Sequence, residues 1–249
     1  MSTLLLHGFT GSSQSWGDGL IDALASLGPP PVLVDLPGHG RHAGDTDPDH
    51  FTLEAVLESI GDASGGEPID LVGYSMGGRL ALAYAVAHPE AVRTLVLESA
   101  SPGLATPEER EQRRASDEAL ARSLEAQGIE AFVDQWERLA LFESQQSLPE
   151  HVRAAQRGRR ELNDPASLSA SLRGLGTGSL PSYWPALASL SMPVLVLTGE
   201  LDGKFASIAR DMAARIPSSR LGVVPGAGHA VHLERPDAWL SAVLDFLPT

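Results

Sequence analysis

The sequence predicts an α/β protein: a mostly parallel central sheet flanked by helices, with a helical segment inserted between two strands. Short β-rich runs alternate with helical patterns, which is typical of βαβ units. The alternation stops between Pro102 and Pro193, where only helical patterns occur. The chain has 249 residues, of which 43% are hydrophobic and 20% charged, so it suffices for one sizeable core but not for two large independent domains.

Six β-strands are predicted along the chain. They span residues 4–6, 31–35, 69–73, 94–98, 194–199 and 221–224. Apolar residues recur at helical spacing in two of the intervening stretches, at Leu53, Val56, Leu57 and Ile60, and at Leu80, Tyr84 and Ala87. Helical crossovers between successive strands make the strands parallel.

The inserted segment begins with a clear helix signal. Thr106-Pro107-Glu108-Glu109 is a capping box with proline at the first helical position, which predicts a helix from there to about Gln127. Further short helices are then punctuated by Gly128, Pro149, Pro165 and Pro181. We predict a core formed by residues 1–102 and 186–249, and a helical cap formed by residues 103–185.

The composition excludes several classes of protein. With 18 basic and 32 acidic side chains the net charge is −14, which argues against nucleic acid or an anionic membrane surface as a partner. Cysteine is absent, which excludes disulfides, thiolate metal sites and a cysteine nucleophile. No histidine and carboxylate spacing indicates a metal site, and we expect no cofactor. Without a leader sequence or a long apolar run, we expect a cytoplasmic monomer or small homo-oligomer.

The segment Gly73-Tyr74-Ser75-Met76-Gly77 is a G-x-S-x-G motif placed between a predicted buried strand and a predicted helix. Its glycines permit the sharp turn that exposes the serine hydroxyl above a sheet. A helix that begins at Met76 also directs amide N–H groups towards a developing anion. Ser75 is therefore the candidate reactive residue, against the simpler interpretation of a glycine-rich turn with an incidental serine.

A reactive serine needs a histidine base and a carboxylate that orients it. His229 follows the last predicted strand in a glycine-rich loop, and His232 is its nearest rival, which we interpret as a solvated residue at a helix start. Asp202 follows the preceding strand, and Glu200 is the alternative acid. The order Ser75, Asp202, His229 is the order expected for a nucleophile-elbow enzyme.

The loop after the first strand, His7-Gly8-Phe9, can present a backbone amide opposite the serine. The N–H groups of Phe9 and Met76 would then form an oxyanion hole. We interpret His7 as a structural hydrogen-bonding residue and residues 35–41 as a structured turn rather than a metal site.

Four motifs together resemble the α/β-hydrolase superfamily over essentially the whole chain. They are His7-Gly8-Phe9, Asp35-Leu36-Pro37-Gly38-His39-Gly40, Gly73-Tyr74-Ser75-Met76-Gly77-Gly78 and Gly226-Ala227-Gly228-His229. The resemblance implies the α/β-hydrolase fold, but that fold carries many reactions.

The resemblance extends to one branch, the MenH family of 2-succinyl-6-hydroxy-2,4-cyclohexadiene-1-carboxylate synthases in menaquinone biosynthesis. The stretches that carry it are 77–79, 101–104, 110–117, 132–136, 141–142 and 199–205, with Arg157, Arg159, Arg160 and Asn163. It implies a lyase that expels pyruvate from 2-succinyl-5-enolpyruvyl-6-hydroxy-3-cyclohexene-1-carboxylate by 2,5-elimination. The expected partner is thus a small polycarboxylate substrate.

The resemblance also implies roles for individual side chains. Carboxylate binding falls to Arg79, Arg113 and Arg160, and Tyr74 and Trp136 line the cavity. Arg159 can take the place of Arg160, because a helix register error of one residue exchanges them. Arginine grips carboxylates bidentately and keeps its charge, and the predicted cap holds 10 of the 17 arginines.

Two other functions are compatible with the same residues. One is a carboxylesterase or small-molecule hydrolase that acts through an acyl-serine. The other is a non-catalytic binding protein that retains the triad.

Overall fold

A computed structural model describes residues 2–248 of the chain. Its strands are β1 (Thr3–Leu6), β2 (Val32–Val34), β3 (Ile69–Tyr74), β4 (Val92–Glu98), β5 (Val194–Gly199) and β6 (Ser219–Val224). They form one sheet in the order β2-β1-β3-β4-β5-β6, and every pairing is parallel. The predicted strands are confirmed, with ends that differ by up to two residues.

Helices connect the strands. They are α1 (Asp18–Ala25), α2 (Leu53–Ser64), α3 (Met76–Ala87), α4 (Pro107–Trp136), α5 (Glu150–Glu161), α6 (Pro165–Leu175), α7 (Gly203–Ala213), α8 (Val231–Glu234) and α9 (Pro236–Leu244). Short 3-10 helices cover Ser13–Trp16, Gly40–His42, Pro48–Phe51, Pro89–Ala91, Ala140–Ser147 and Trp184–Ser189. Within residues 2–248, no helix is long and apolar enough to cross a membrane.

The sheet is covered on both faces because successive strand residues point to opposite sides. Leu4 and Leu6 of β1 pack into one core with residues of α2, α3 and α7. Leu5 belongs to the other core, with residues of α1 and α9 such as Trp239. Strands buried on both faces are apolar almost throughout, which explains why their sequences do not alternate.

Helix α4 begins at the predicted capping box. The Thr106 hydroxyl accepts a hydrogen bond from the Glu109 amide at 3.1 Å, and the Glu109 carboxylate accepts one from the Thr106 amide at 2.9 Å. Gly128 interrupts the helix with a φ of +80°, a value that glycine adopts without strain. The predicted end near Gln127 is thus the end of the first part only, and a second part continues to Trp136.

The segment between β4 and β5 contains helices and, in the described residues, no strand. Its two ends meet, since the Tyr183 amide donates to the Pro102 carbonyl at 2.7 Å and the Trp184 indole donates to the Gly103 carbonyl at 3.1 Å. These bonds support the division into a core of residues 1–102 and 186–249 and a cap of residues 103–185, which stays a prediction.

Candidate active site

Ser75 lies in the turn that joins β3 to α3. Its backbone has φ +52° and ψ −107°, a strained conformation for a residue with a side chain. A Cβ atom on Gly73 would lie 2.5 Å from the Gly77 carbonyl oxygen, so the turn closes only without a side chain there. The Ser75 amide donates to the Glu98 carbonyl at 2.9 Å, which ties the turn to the neighbouring strand.

His229 and Asp202 meet Ser75 at the carboxyl ends of the strands. His229 Nε2 lies 3.0 Å from Ser75 Oγ, and His229 Nδ1 lies 2.6 Å from Asp202 Oδ2. Asp202 also caps α7, because its Oδ1 accepts from the Phe205 amide at 3.2 Å. The structure thus brings together the three residues that the sequence analysis selected. The alternative acid, Glu200, is exposed and accepts instead from the Gly226 amide at 3.1 Å.

The interpretation of His232 as a solvated residue was wrong. Only 6% of His232 is exposed, and its Nδ1 lies 2.8 Å from Oε1 of Glu98, which is fully buried at the end of β4. A carboxylate inside the protein needs hydrogen-bond donors, and His232 in α8 supplies one to Glu98. The available signal was a glutamate at the end of an apolar strand, because such a charge requires a buried partner.

The loop after β1 is held by two buried histidines. The Leu36 amide donates to His7 Nε2 at 3.0 Å, and His7 Nδ1 donates to the Gly8 carbonyl at 2.8 Å. Burial lowers the pKa of His7 to about 4 and that of His39 to about 3, so both rings are neutral near pH 7. This is the geometry of the structural residue that the sequence analysis expected at His7.

These bonds fix the backbone around Phe9. Among the described residues, neither the Phe9 amide nor the Met76 amide donates to another protein group. Met76 is the first residue of α3, where the amides have no partner inside the helix. Both amides are therefore free to donate to a bound oxygen atom.

A cleft lies between the core and the cap, and Phe9 and Tyr74 contribute to its wall. Arg159 and Arg160 both line it, so the two alternatives of the sequence analysis are not exclusive. Arg160 is buried, with its Nη1 2.8 Å from Glu137 Oε1 and its Nη2 3.4 Å from Gln145 Oε1. Arg159 forms no ion pair within residues 2–248, and burial together with the nearby Arg160 lowers its pKa. The cleft thus has one unneutralised cation.

A second pair of cations lies near the first turn of α3. The Arg79 amide donates to the Ser75 carbonyl at 3.1 Å, and its guanidinium Nε is buried with no partner in the described chain. Burial, followed by repulsion from Arg113, lowers the pKa of Arg79 to about 10, which leaves it charged near pH 7. Arg113 Nε lies 2.8 Å from Asp117 Oδ1, a carboxylate that partly offsets these two charges.

Tyr74 lies on the wall of the cleft, with its ring centroid 5.4 Å from that of His229 and 4.7 Å from that of His232. Burial raises the pKa of its hydroxyl well above the usual range. Trp136 is half-buried, its ring centroid lies 5.4 Å from that of Phe9, and its indole N–H has no partner among residues 2–248. Its place on the cavity wall stays a prediction.

Comparison with known proteins places this geometry in a family. The model of the alpha/beta hydrolase fold family matches residues 4–236. A Bacillus subtilis protein provisionally named 2-succinyl-6-hydroxy-2,4-cyclohexadiene-1-carboxylate synthase is 41% identical, over 99% of this chain and 90% of its own. The chain belongs to this synthase family of the alpha/beta hydrolase fold. The predicted fold and family are confirmed, and this is a family of enzymes.

A second synthase and two solved structures are also similar to this chain. The Serratia proteamaculans 2-succinyl-6-hydroxy-2,4-cyclohexadiene-1-carboxylate synthase is 31% identical over 97% of this chain and 91% of its own. The structure of MenH from S. aureus is similar with a TM-score of 0.90 and 35% identity, covering 99% of this chain and 93% of that one. A Thermogutta terrifontis esterase has a TM-score of 0.80 and 25% identity, covering 98% of this chain and 88% of that one.

Proposed function

We propose that this enzyme is the lyase that converts 2-succinyl-5-enolpyruvyl-6-hydroxy-3-cyclohexene-1-carboxylate to 2-succinyl-6-hydroxy-2,4-cyclohexadiene-1-carboxylate and pyruvate in menaquinone biosynthesis. The observation that carries the proposal is a hydrogen-bonded serine, histidine and aspartate array in a protein that also has incompletely neutralised arginines next to α3 and on the cleft wall. A simple ester does not need those cations, whereas a substrate with three carboxylates does. The full-length similarity to synthases of this product supports the same reaction.

Proton removal starts the reaction. Asp202 accepts the Nδ1–H of His229 at 2.6 Å, which leaves the Nε2 lone pair directed at Ser75 Oγ at 3.0 Å. His229 takes the hydroxyl proton, and the serine oxygen removes the ring proton beside the succinyl ketone. The electron pair moves onto the ketone as an enolate and then returns, shifting the ring double bond and expelling the enolpyruvate group, which takes the proton held by His229 and becomes pyruvate. No acyl-enzyme bond forms.

The enolate oxygen carries the charge that develops in the transition state. The unpartnered amides of Phe9 and Met76 are suited to donate to it, and the latter adds the positive end of the α3 dipole. Donors that are already oriented need no rearrangement during the reaction, which is why such a pair accelerates it.

The arginines bind the carboxylates. Arg79 and Arg113 form one cationic group near α3, and Arg159 and Arg160 form another on the cleft wall. Carboxylates bound at both groups hold the ring between them, which restricts the substrate to the orientation in which its acidic proton faces Ser75.

The test is pyruvate release from substrate generated by the preceding enzyme, followed by lactate dehydrogenase. Wild-type protein should release pyruvate well above the spontaneous rate, and Ser75→Ala should lose that activity while it still binds product. No release above the spontaneous rate, or near-normal release by Ser75→Ala, would contradict the proposal.

A carboxylesterase is the second candidate, because the same contacts activate a serine for acyl transfer and the Thermogutta terrifontis esterase shares the fold. It predicts a burst of p-nitrophenol from p-nitrophenyl acetate followed by steady turnover. Ester turnover in the absence of pyruvate release would favour this function over the lyase.

A further inference from the structure

A second histidine and carboxylate pair lies next to the catalytic candidates. Glu98 has no exposed surface, and its carboxylate accepts three N–H groups. Glu98 Oε1 lies 2.8 Å from His232 Nδ1 and 3.1 Å from the His232 backbone nitrogen, and Glu98 Oε2 lies 2.8 Å from the Trp239 indole nitrogen. Three donors compensate the burial of this carboxylate and hold the His232 ring in one orientation.

This arrangement determines which nitrogen of His232 is available. Because Glu98 accepts from Nδ1, the proton of the neutral ring lies on Nδ1 and the lone pair lies on Nε2. Nε2 has no hydrogen bond within residues 2–248 and is not among the buried unpartnered atoms, so it is accessible. His232 lines the cleft, and Trp16 and Tyr74 pack against its ring at centroid distances of 4.9 and 4.7 Å. Nε2 therefore opens into the cleft.

We propose that His232 Nε2 accepts a hydrogen bond from the ring hydroxyl of the substrate and so determines specificity for the hydroxylated ring. The inference rests on the proposed function. In the substrate, the ionised carboxylates and the ketone only accept hydrogen bonds, and the hydroxyl alone donates one. The arginines on the cleft wall are donors that match the carboxylates, whereas the lone pair of His232 matches the hydroxyl.

Two ligands isolate this contact. One is the product, and the other is 2-succinylbenzoate, the aromatic compound that the product becomes when it loses its ring hydroxyl as water. Both carry the same two carboxylates and ketone. Isothermal titration calorimetry should show that His232→Phe, which keeps a ring against Tyr74, weakens product binding about tenfold and 2-succinylbenzoate binding less than about twofold. His151→Phe, on the exposed surface of α5, should change neither affinity.

Equal weakening of both ligands would show that His232 acts only through packing and would overturn the inference, as would no change for either ligand. Failure of wild-type protein to bind either compound would instead contradict the proposed function.

A measurement on the wild-type protein avoids the effect of substitution on folding. The Nε2 nitrogen resonance of His232 should move upfield when product binds and stay in place with 2-succinylbenzoate. An Nε2 resonance that does not shift when product binds would overturn the inference even if His232→Phe failed to fold.

Discussion

Asp202→Asn separates two roles that one side chain combines. Asp202 Oδ1 caps α7 through the Phe205 amide at 3.2 Å, and Oδ2 accepts from His229 at 2.6 Å. Asparagine caps helices about as well as aspartate, so α7 should stay intact. Its amide group, however, donates where Oδ2 accepted. His229 must then carry its proton on Nε2, which leaves no lone pair for Ser75.

The expected loss is large in rate and small in stability. The wrong tautomer in a serine, histidine and aspartate array lowers kcat about 10⁴-fold, equivalent to about 5.5 kcal/mol of transition-state stabilisation. The melting temperature and the product Kd of Asp202→Asn should stay close to wild type. Asp202→Ala should lose the same activity and, because it also removes the cap, about 1 kcal/mol of stability.

Steady-state pyruvate release measures the rate, and thermal unfolding followed by circular dichroism measures the stability. If Asp202→Asn retained a kcat within tenfold of wild type, the role assigned to the Asp202 to His229 contact would be refuted.

Arg113, His7 and Gly128 each provide a separate test. Arg113→Ala should raise KM about tenfold or more with little change in kcat, because it removes a binding contact to a substrate carboxylate. The control Arg122→Ala, at an exposed position of the cap, should leave both constants unchanged. An unaltered KM for Arg113→Ala would contradict its role in carboxylate binding. Burial lowers the pKa of His7 from 6.5 to about 4 and that of His39 to about 3, so the unfolded chain takes up more protons than the folded one between pH 6.5 and 4. The free energy of unfolding in urea should therefore fall as the pH drops through this window, and a flat profile would show that the two histidines do not titrate in this way. Gly128→Ala meets no neighbouring atom but forces alanine to φ +80° and ψ 175°, so it should lower the free energy of unfolding by about 1 to 3 kcal/mol. Gly158→Ala inside α5 should instead raise it by about 1 kcal/mol, and equal effects of the two substitutions would refute the conformational origin.

Local sequence carried most of the fold and the centre of the candidate site. Strand and helix patterns are local properties, and the turn at Ser75 needs its glycines within a few residues of the serine. Asp202 and His229 could be selected because each follows a predicted strand, and parallel strands bring their carboxyl ends to one edge of the sheet.

The cap was harder to predict, because its side chains reach the site only through packing of helices against the core. Arg159 and Arg160 both line the cleft, although sequence reasoning treated them as alternatives. Trp136, expected on the cavity wall, packs against Phe9, and its position depends on the continuation of α4 beyond Gly128.

By itself, then, the sequence determined the parallel sheet, the capped start of α4 and the order of the three candidate catalytic residues, since these depend on periodicity and on turn chemistry within short segments. Only the tertiary structure decided the environment of groups that are distant in the chain. His232 looked like a surface residue because its partner, Glu98, lies 134 positions away in the chain. In the folded protein both residues are buried, and the imidazole is hydrogen-bonded to the Glu98 carboxylate. Burial and charge pairing are properties of the folded molecule, so no local pattern contains them.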